Sequence, residues 1–127
     1  MAPSRIKIFF DGGCRPNPGR IEAAVVLRGV VHHFDDCGSG TNSDAEWIAL
    51  RLAVELAREA RLEKVLLLGD ALEIVREARS ALAGAAATHE HARAFLAVAA
   101  AVPGLAVRWI KREQNLAGIS LAARHPR

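Results

Sequence analysis

Three acidic residues stand where a sheet edge would gather them. Asp11 follows the apolar run at residues 6–10, Asp70 follows the run at 65–68 and Gly69, and Glu46 falls in the first turn of the helical pattern between them. If the two runs are parallel neighbouring strands, both aspartates emerge at the carboxyl edge of one sheet, where open α/β folds hold their ligands. Clustered carboxylates repel and raise one another's pKa unless a cation neutralises them. Convergence would therefore call for a divalent ion on hard oxygen ligands, with Mg2+ or Mn2+ the natural candidates. Spacing alone leaves a plainer alternative open, two polar strand ends and a favourable acidic residue near a helix N-terminus.

The elements that must position these residues are legible from periodicity. Residues 5–11 alternate, and Phe9 on the second face suggests a central strand covered on both sides, stopping at Gly12 and Gly13. Turn chemistry at 15–19 precedes strands at 23–27 and 30–34, joined tightly around Gly29 into an antiparallel meander. A second turn cluster at 38–44 leads into a helix with Ala45, Ile48, Ala49, Leu52, Leu56 and Ala60 on one face. A strand at 65–68, helices at 71–82 and about 88–102, a strand at 105–110 and a helix at about 114–123 follow. The order describes a mixed sheet with helical crossovers.

With 127 residues, 51% of them hydrophobic, the chain has material for one core, and a single domain over 1–127 is expected. The balance of 17 Lys and Arg against 14 Asp and Glu permits a polyanionic partner without requiring one. No apolar run reaches the length of about eighteen residues that a spanning helix needs, and the first residues run into a strand rather than a signal peptide, so a soluble, cytoplasmic protein with no membrane association is expected. Cys14 and Cys37 read as reduced thiols, a disulfide between adjacent strand ends being the alternative.

Four segments carry a family resemblance: FFDGGCRPNPG at 9–19, TNSDAE at 41–46, VLLLGD at 65–70 and VRWIKREQNLA at 107–117. In this order they resemble the motifs of type 1 ribonucleases H across nearly the whole chain. The resemblance implies a five-stranded mixed sheet, three antiparallel strands then two parallel, with helices on both faces. It also implies hydrolysis of the RNA strand of RNA–DNA hybrids by a two-ion mechanism, leaving a 5′-phosphate and a 3′-hydroxyl. Asp11 would bridge both ions, with Glu46 and Asp70 completing the shell of the second. By the same likeness Asn17 and Asn42 would reach the minor groove and Thr41 would help hold a DNA-strand phosphate. Backbone at Gly12 and Gly13 would approach the RNA where little side-chain bulk intervenes. For each of these five residues the alternative is ordinary turn or cap chemistry.

The likeness fails at one chemical position. The family's last helix begins Asn-x-x-Ala-Asp, whereas this chain reads Asn115, Leu116, Ala117, Gly118, and the missing aspartate is the one that holds the water-activating ion. One ion is then weakly held and activity reduced, unless Glu113 or His125 substitutes. Ala71 replaces a hydroxyl residue and Leu72 a polar one, and the histidine-bearing loop and basic helix of many members are missing, as in a short branch of the family. A hybrid- or duplex-binding module without catalysis is the rival reading. His32, His33, His89 and His91 read as solvated. Trp47 and Trp109 read as half-buried packing residues, with stacking on nucleic acid the alternative. No obligate protein partner is evident and a monomer is expected.

Overall fold

Strand β1 (Ile6–Cys14) is the centre of the sheet in the computed structural model, which describes residues 5–87 and 89–125. β2 (Gly19–Leu27) and β3 (Val30–Phe34) complete the antiparallel meander. Their two-residue connection, Arg28 at φ 53° and Gly29 at φ 79°, has the positive dihedrals of a turn whose twist matches that of the flanking strands. On the other side of β1 lie β5 (Val65–Gly69) and then β6 (Ala106–Trp109), both parallel to it, giving the order β3-β2-β1-β5-β6. A two-residue strand β4 (Ser39–Gly40), inside the expected turn cluster, pairs with the start of β2.

Helix α1 (Asn42–Glu59) begins three residues earlier than its apolar periodicity suggests, because Thr41 and Asp44 form a reciprocal cap. Ala45, Ala49, Ala53 and Ala57 recur every fourth residue and are all fully buried. That small-residue row lets the helix sit close against β1 and β2. α2 (Leu72–Leu82) and α3 (Glu90–Ala99) share this face, and Ile8, Phe10, Val25, Leu67, Val54 and Phe95 form its main core. α3 is shorter than the expected 88–102, with His89 as its cap, while Thr88 lies outside the described residues, as do residues 1–4, which open the expected N-terminal segment. α4 (Leu116–Ala123), preceded by a single 3₁₀ turn at Arg112–Gln114, covers the opposite face, where Ala117 and Leu121 pack on Ala24, Val26 and Phe9. The mixed sheet with helices on both faces is thus borne out, its five expected strands joined by a sixth, β4, at the start of β2, and no helix among the described residues is long and apolar enough to cross a membrane.

One correction bears on the site. β1 does not stop at Gly12 and Gly13; its ladder with β2 continues through Gly12–Ala23 and Gly13–Glu22 to Cys14–Ile21. A Cβ on Gly12 would lie 2.2 Å from the Ala45 carbonyl oxygen, so glycine there is the condition for α1 to cross the extended strand at this distance.

Candidate active site

Strand register places two of the carboxylates. The parallel pairing of β1 and β5 ends on Phe9 with Leu68, and two residues further each strand reaches an aspartate, Asp11 and Asp70. Glu46 comes over the same edge from α1, one turn inside its start because the helix begins at Asn42, and its Oε1 accepts a hydrogen bond of 3.0 Å from the Gly12 N–H. One carboxylate oxygen from each of Asp11, Glu46 and Asp70 lies within 4.8 Å of the others. Among the described residues no other group of three His, Cys, Asp or Glu side chains comes together in this way.

The trio is held by groups that do no chemistry themselves. Asn115, the N-cap of α4, is fully buried; its Oδ1 accepts from the Ala117 N–H, and its amide donates to the Phe10 carbonyl and to Asp70 Oδ2, both at 3.0 Å. One side chain thereby caps the helix, closes an otherwise open carbonyl on the central strand and fixes Asp70. Trp109 Nε1–H donates to the backbone carbonyl of Asp70 at 3.1 Å. Gly69 is also demanded sterically, since a Cβ there would meet the Phe10 ring at 2.3 Å.

Burial, and then the charge of Asp70, push the Asp11 carboxyl up from its ordinary 3.8 to about 7, against the opposing pull of a hydrogen bond with Glu46, then of Arg112 and the Gly12 N–H. Burial followed by the charges of Asp11 and Asp70 drives Glu46 well above its usual range. Such a site resists holding three negative charges alone. Its donors are all hard oxygens spanning about twice a metal–oxygen distance, so the residues fit Mg2+ or Mn2+.

The carboxylates open onto a cavity of about 620 Å³ whose lining includes Gly118, Ile119 and Ala122 from α4. A Cβ on Gly118 would meet Asp11 Cγ, Asp11 Oδ2 and Asp70 Oδ2 at 3.5 Å, which is ordinary contact. Residue 118 therefore faces the cluster directly and contributes no ligand. Neither proposed substitute joins the trio: Glu113 lines the cavity from the 3₁₀ turn, and His125 hydrogen-bonds Glu22 through Nε2. Glu22, a further carboxylate on the cavity wall, was not anticipated from sequence. Its neighbourhood follows from centring the 15–20 reversal, which pairs Glu22 with Gly13.

The other sequence expectations divide. Gly12 is buried beneath Ala45, so its lack of bulk is needed for the approach of α1, and with Gly13, which faces Asn42 Oδ1 at 3.7 Å, and Asn42 it also lines the cavity. Asn17 and Asn42 are brought together, with Asn17 Oδ1 accepting from the Asn42 N–H and Asn42 Oδ1 from the Cys14 N–H, both at 3.1 Å. Thr41 acts as the helix cap. Cys14 and Cys37 are free thiols in one small cluster. The histidines are not simply solvated: His89 pairs with Glu77, His91 with Asp44, and His33 with Ser120. Nor are the tryptophans equally half-buried, since Trp47 is 4% exposed and Trp109 42%.

The reverse-transcriptase-like family matches residues 9–125. Among solved structures, the ribonuclease H1 of the halophilic archaeon Halobacterium salinarum is 25% identical, with 94% of this chain and 99% of that one covered at a TM-score of 0.71. LC11-RNase H1, isolated from compost by a metagenomic approach, is 30% identical with 89% of each chain covered and a TM-score of 0.67. The chain belongs to the ribonuclease H1 family. A further structure of LC11-RNase H1, in complex with an RNA/DNA hybrid, is 29% identical, covers 88% of this chain and 89% of that one, and gives a TM-score of 0.65. A search of curated proteins finds no match. Gly118, where the sequence resemblance led to the expectation of a fourth aspartate, lies on the α4 wall facing Asp11 and Asp70.

Proposed function

We propose that this chain, as a single domain, is a divalent-metal-dependent endonuclease that hydrolyses the RNA strand of RNA–DNA hybrids, with activity lowered by Gly118. The observation that carries this reading is the convergence of Asp11, Glu46 and Asp70 within 4.8 Å on one cavity wall. Hybrid binding by LC11-RNase H1, a family member of this size, supports the substrate class. Asp11, Glu46 and Asp70 would hold the metal, which when bound supplies charge neutralisation and an activated water for in-line displacement at phosphorus. The Gly12 N–H keeps Glu46 pointed into the cavity, and Asn115 keeps Asp70 there. Gly13 on β1, Asn17 in the turn between β1 and β2, and Thr41 and Asn42 at the start of α1 would meet the hybrid.

Cleavage of an end-labelled hybrid in Mg2+ and in Mn2+ tests the reading. The protein should cut slowly, Asp70→Asn should abolish cutting, and Gly118→Asp should raise it. A second reading has one observation in its favour, the bare α4 wall: a hybrid-binding module that no longer cuts. It predicts salt-sensitive binding without cleavage, with activity appearing only in Gly118→Asp. If neither protein cuts the hybrid in either metal, the nuclease reading is wrong.

A further inference from the structure

The two tryptophans differ in a way the metal site does not explain. Trp47 is sealed between α1 and α3 beside His89, His91 and Phe95, whereas Trp109 leaves 42% of its surface open on β6, the last strand of the sheet. A large exposed aromatic is costly to leave in water, and this one is also held in place, its indole N–H fixed to the Asp70 carbonyl at 3.1 Å. The ring is therefore referenced to a carboxylate of the candidate metal site. Two exposed cations, Lys111 and Arg112, follow it in the chain, while Arg108, its neighbour on β6, points to the opposite face of the sheet. Among the described residues none of the three forms an ion pair with a carboxylate, and Arg112 reaches the cavity itself. A rigid aromatic set among free cations beside a phosphodiester-cleaving site is the pattern of a nucleic-acid contact.

Resting on the hybrid-cleavage reading, we propose that Trp109 is a substrate-contact residue, its exposed ring lying against the sugars of the bound hybrid next to the cut site while Lys111 and Arg112 answer the flanking phosphates. Sugars are the expected partner because a hybrid keeps its bases paired and stacked, and the wide, shallow minor groove of A-like helices presents sugar edges to an approaching side chain. The contact sets how the strand lies relative to Asp70, through the hydrogen bond that joins the two residues.

Trp109 can be read out without turnover. Its exposure makes it the tryptophan accessible to acrylamide, and Trp109→Phe identifies its share of the quenchable emission. The titration uses the intact protein in chelator and Asp70→Asn in Mg2+, both at low salt, with a fluorescein-labelled hybrid whose anisotropy reports binding independently. Saturating hybrid should reduce the quenchable emission to the level of Trp109→Phe. Trp109→Ala should weaken binding about tenfold while leaving its salt dependence unchanged, because no phosphate contact is lost. Binding by anisotropy with the quenchable emission intact overturns the Trp109 contact and leaves the hybrid reading standing. Failure to bind in both conditions overturns the hybrid reading, and the contact with it.

Discussion

The two walls of the cavity are built to different standards. On the sheet-edge wall, Glu46 is tied to the Gly12 backbone and Asp70 to the buried Asn115 amide, and no buried side-chain polar atom among the described residues lacks a partner. On the α4 wall stand Gly118, Ile119 and Ala122, which offer neither charge nor hydrogen bond, and Ile119 is half exposed. The same helix is nevertheless anchored through Asn115 into the first wall. Loss of a ligand from a wall need not loosen the wall, because the helix is held by its cap and by Ala117 and Leu121, not by residue 118.

The largest effect that would test this comparison is at Asn115. Asn115→Ala removes the cap, leaves the Phe10 carbonyl unpaired in a buried setting and frees Asp70. It should cost about 3 kcal/mol in urea unfolding and weaken Mn2+ binding as well. A loss below about 1 kcal/mol would mean that the two walls are not joined through this side chain.

Gly118→Asp sharpens the contrast from the other side. The space for its Cβ exists, and an acidic residue in the first turn of a helix is favourable, so the fold should accept it. Completing the ligand set should raise hybrid cleavage about a hundredfold, and the stabilisation by Mn2+, read as the shift in Tm, should exceed that of the unsubstituted protein. An equal Mn2+ shift in both proteins would place the bound ion away from residue 118.

The electrostatic strain of the sheet-edge wall gives a smaller, signed effect. Asp11 holds its proton in the folded protein up to about pH 7 but loses it near its ordinary 3.8 when unfolded. Between those values the native state binds more protons, so in chelator the contribution of this group to stability falls as pH rises from about 4 to about 7. Glu46 acts in the same direction. The Tm in chelator should therefore drop by several degrees from pH 5 to pH 8, Asp11→Asn should flatten that slope, and Mn2+ should raise Tm more at pH 8 than at pH 5. A slope unchanged in Asp11→Asn would remove Asp11 as its source.

How much of this was legible in the sequence depended on the range of the interaction. Asp11, Glu46 and Asp70 could be read because each sits at a boundary marked by local pattern, and a parallel register needs only the two apolar runs. Asn115 could not be read as the linchpin, since its partners lie 105 and 45 residues away and nothing local distinguishes it from an ordinary cap. The continuation of β1 through Gly12 and Gly13 was missed because paired glycines usually signal a turn. Here Gly12 answers the Ala45 backbone from a helix not yet formed when the strand is read. Trp47 lies on α1 beneath α3 and Trp109 on the edge strand β6, a difference of tertiary setting that periodicity does not report.

The smallest expected effect concerns the helix on the sheet-edge side. Ala71 is the N-cap of α2, with extended dihedrals of φ −85° and ψ 96°, and it makes no side-chain cap hydrogen bond. The family's hydroxyl residue at this position would accept from the first-turn N–H groups, so Ala71→Ser should stabilise the protein by about 0.5–1 kcal/mol, measured as a shift of the urea midpoint at constant slope. If capping is all that was lost, hybrid cleavage should remain within about twofold, because the cap acts on α2 while Asp70 is held from the opposite side by Asn115. A gain in cleavage well beyond the gain in stability would mean that the hydroxyl also steadies Asp70. The sheet-edge wall would then carry a deficit of its own, and Gly118 would no longer account alone for the difference between the two walls.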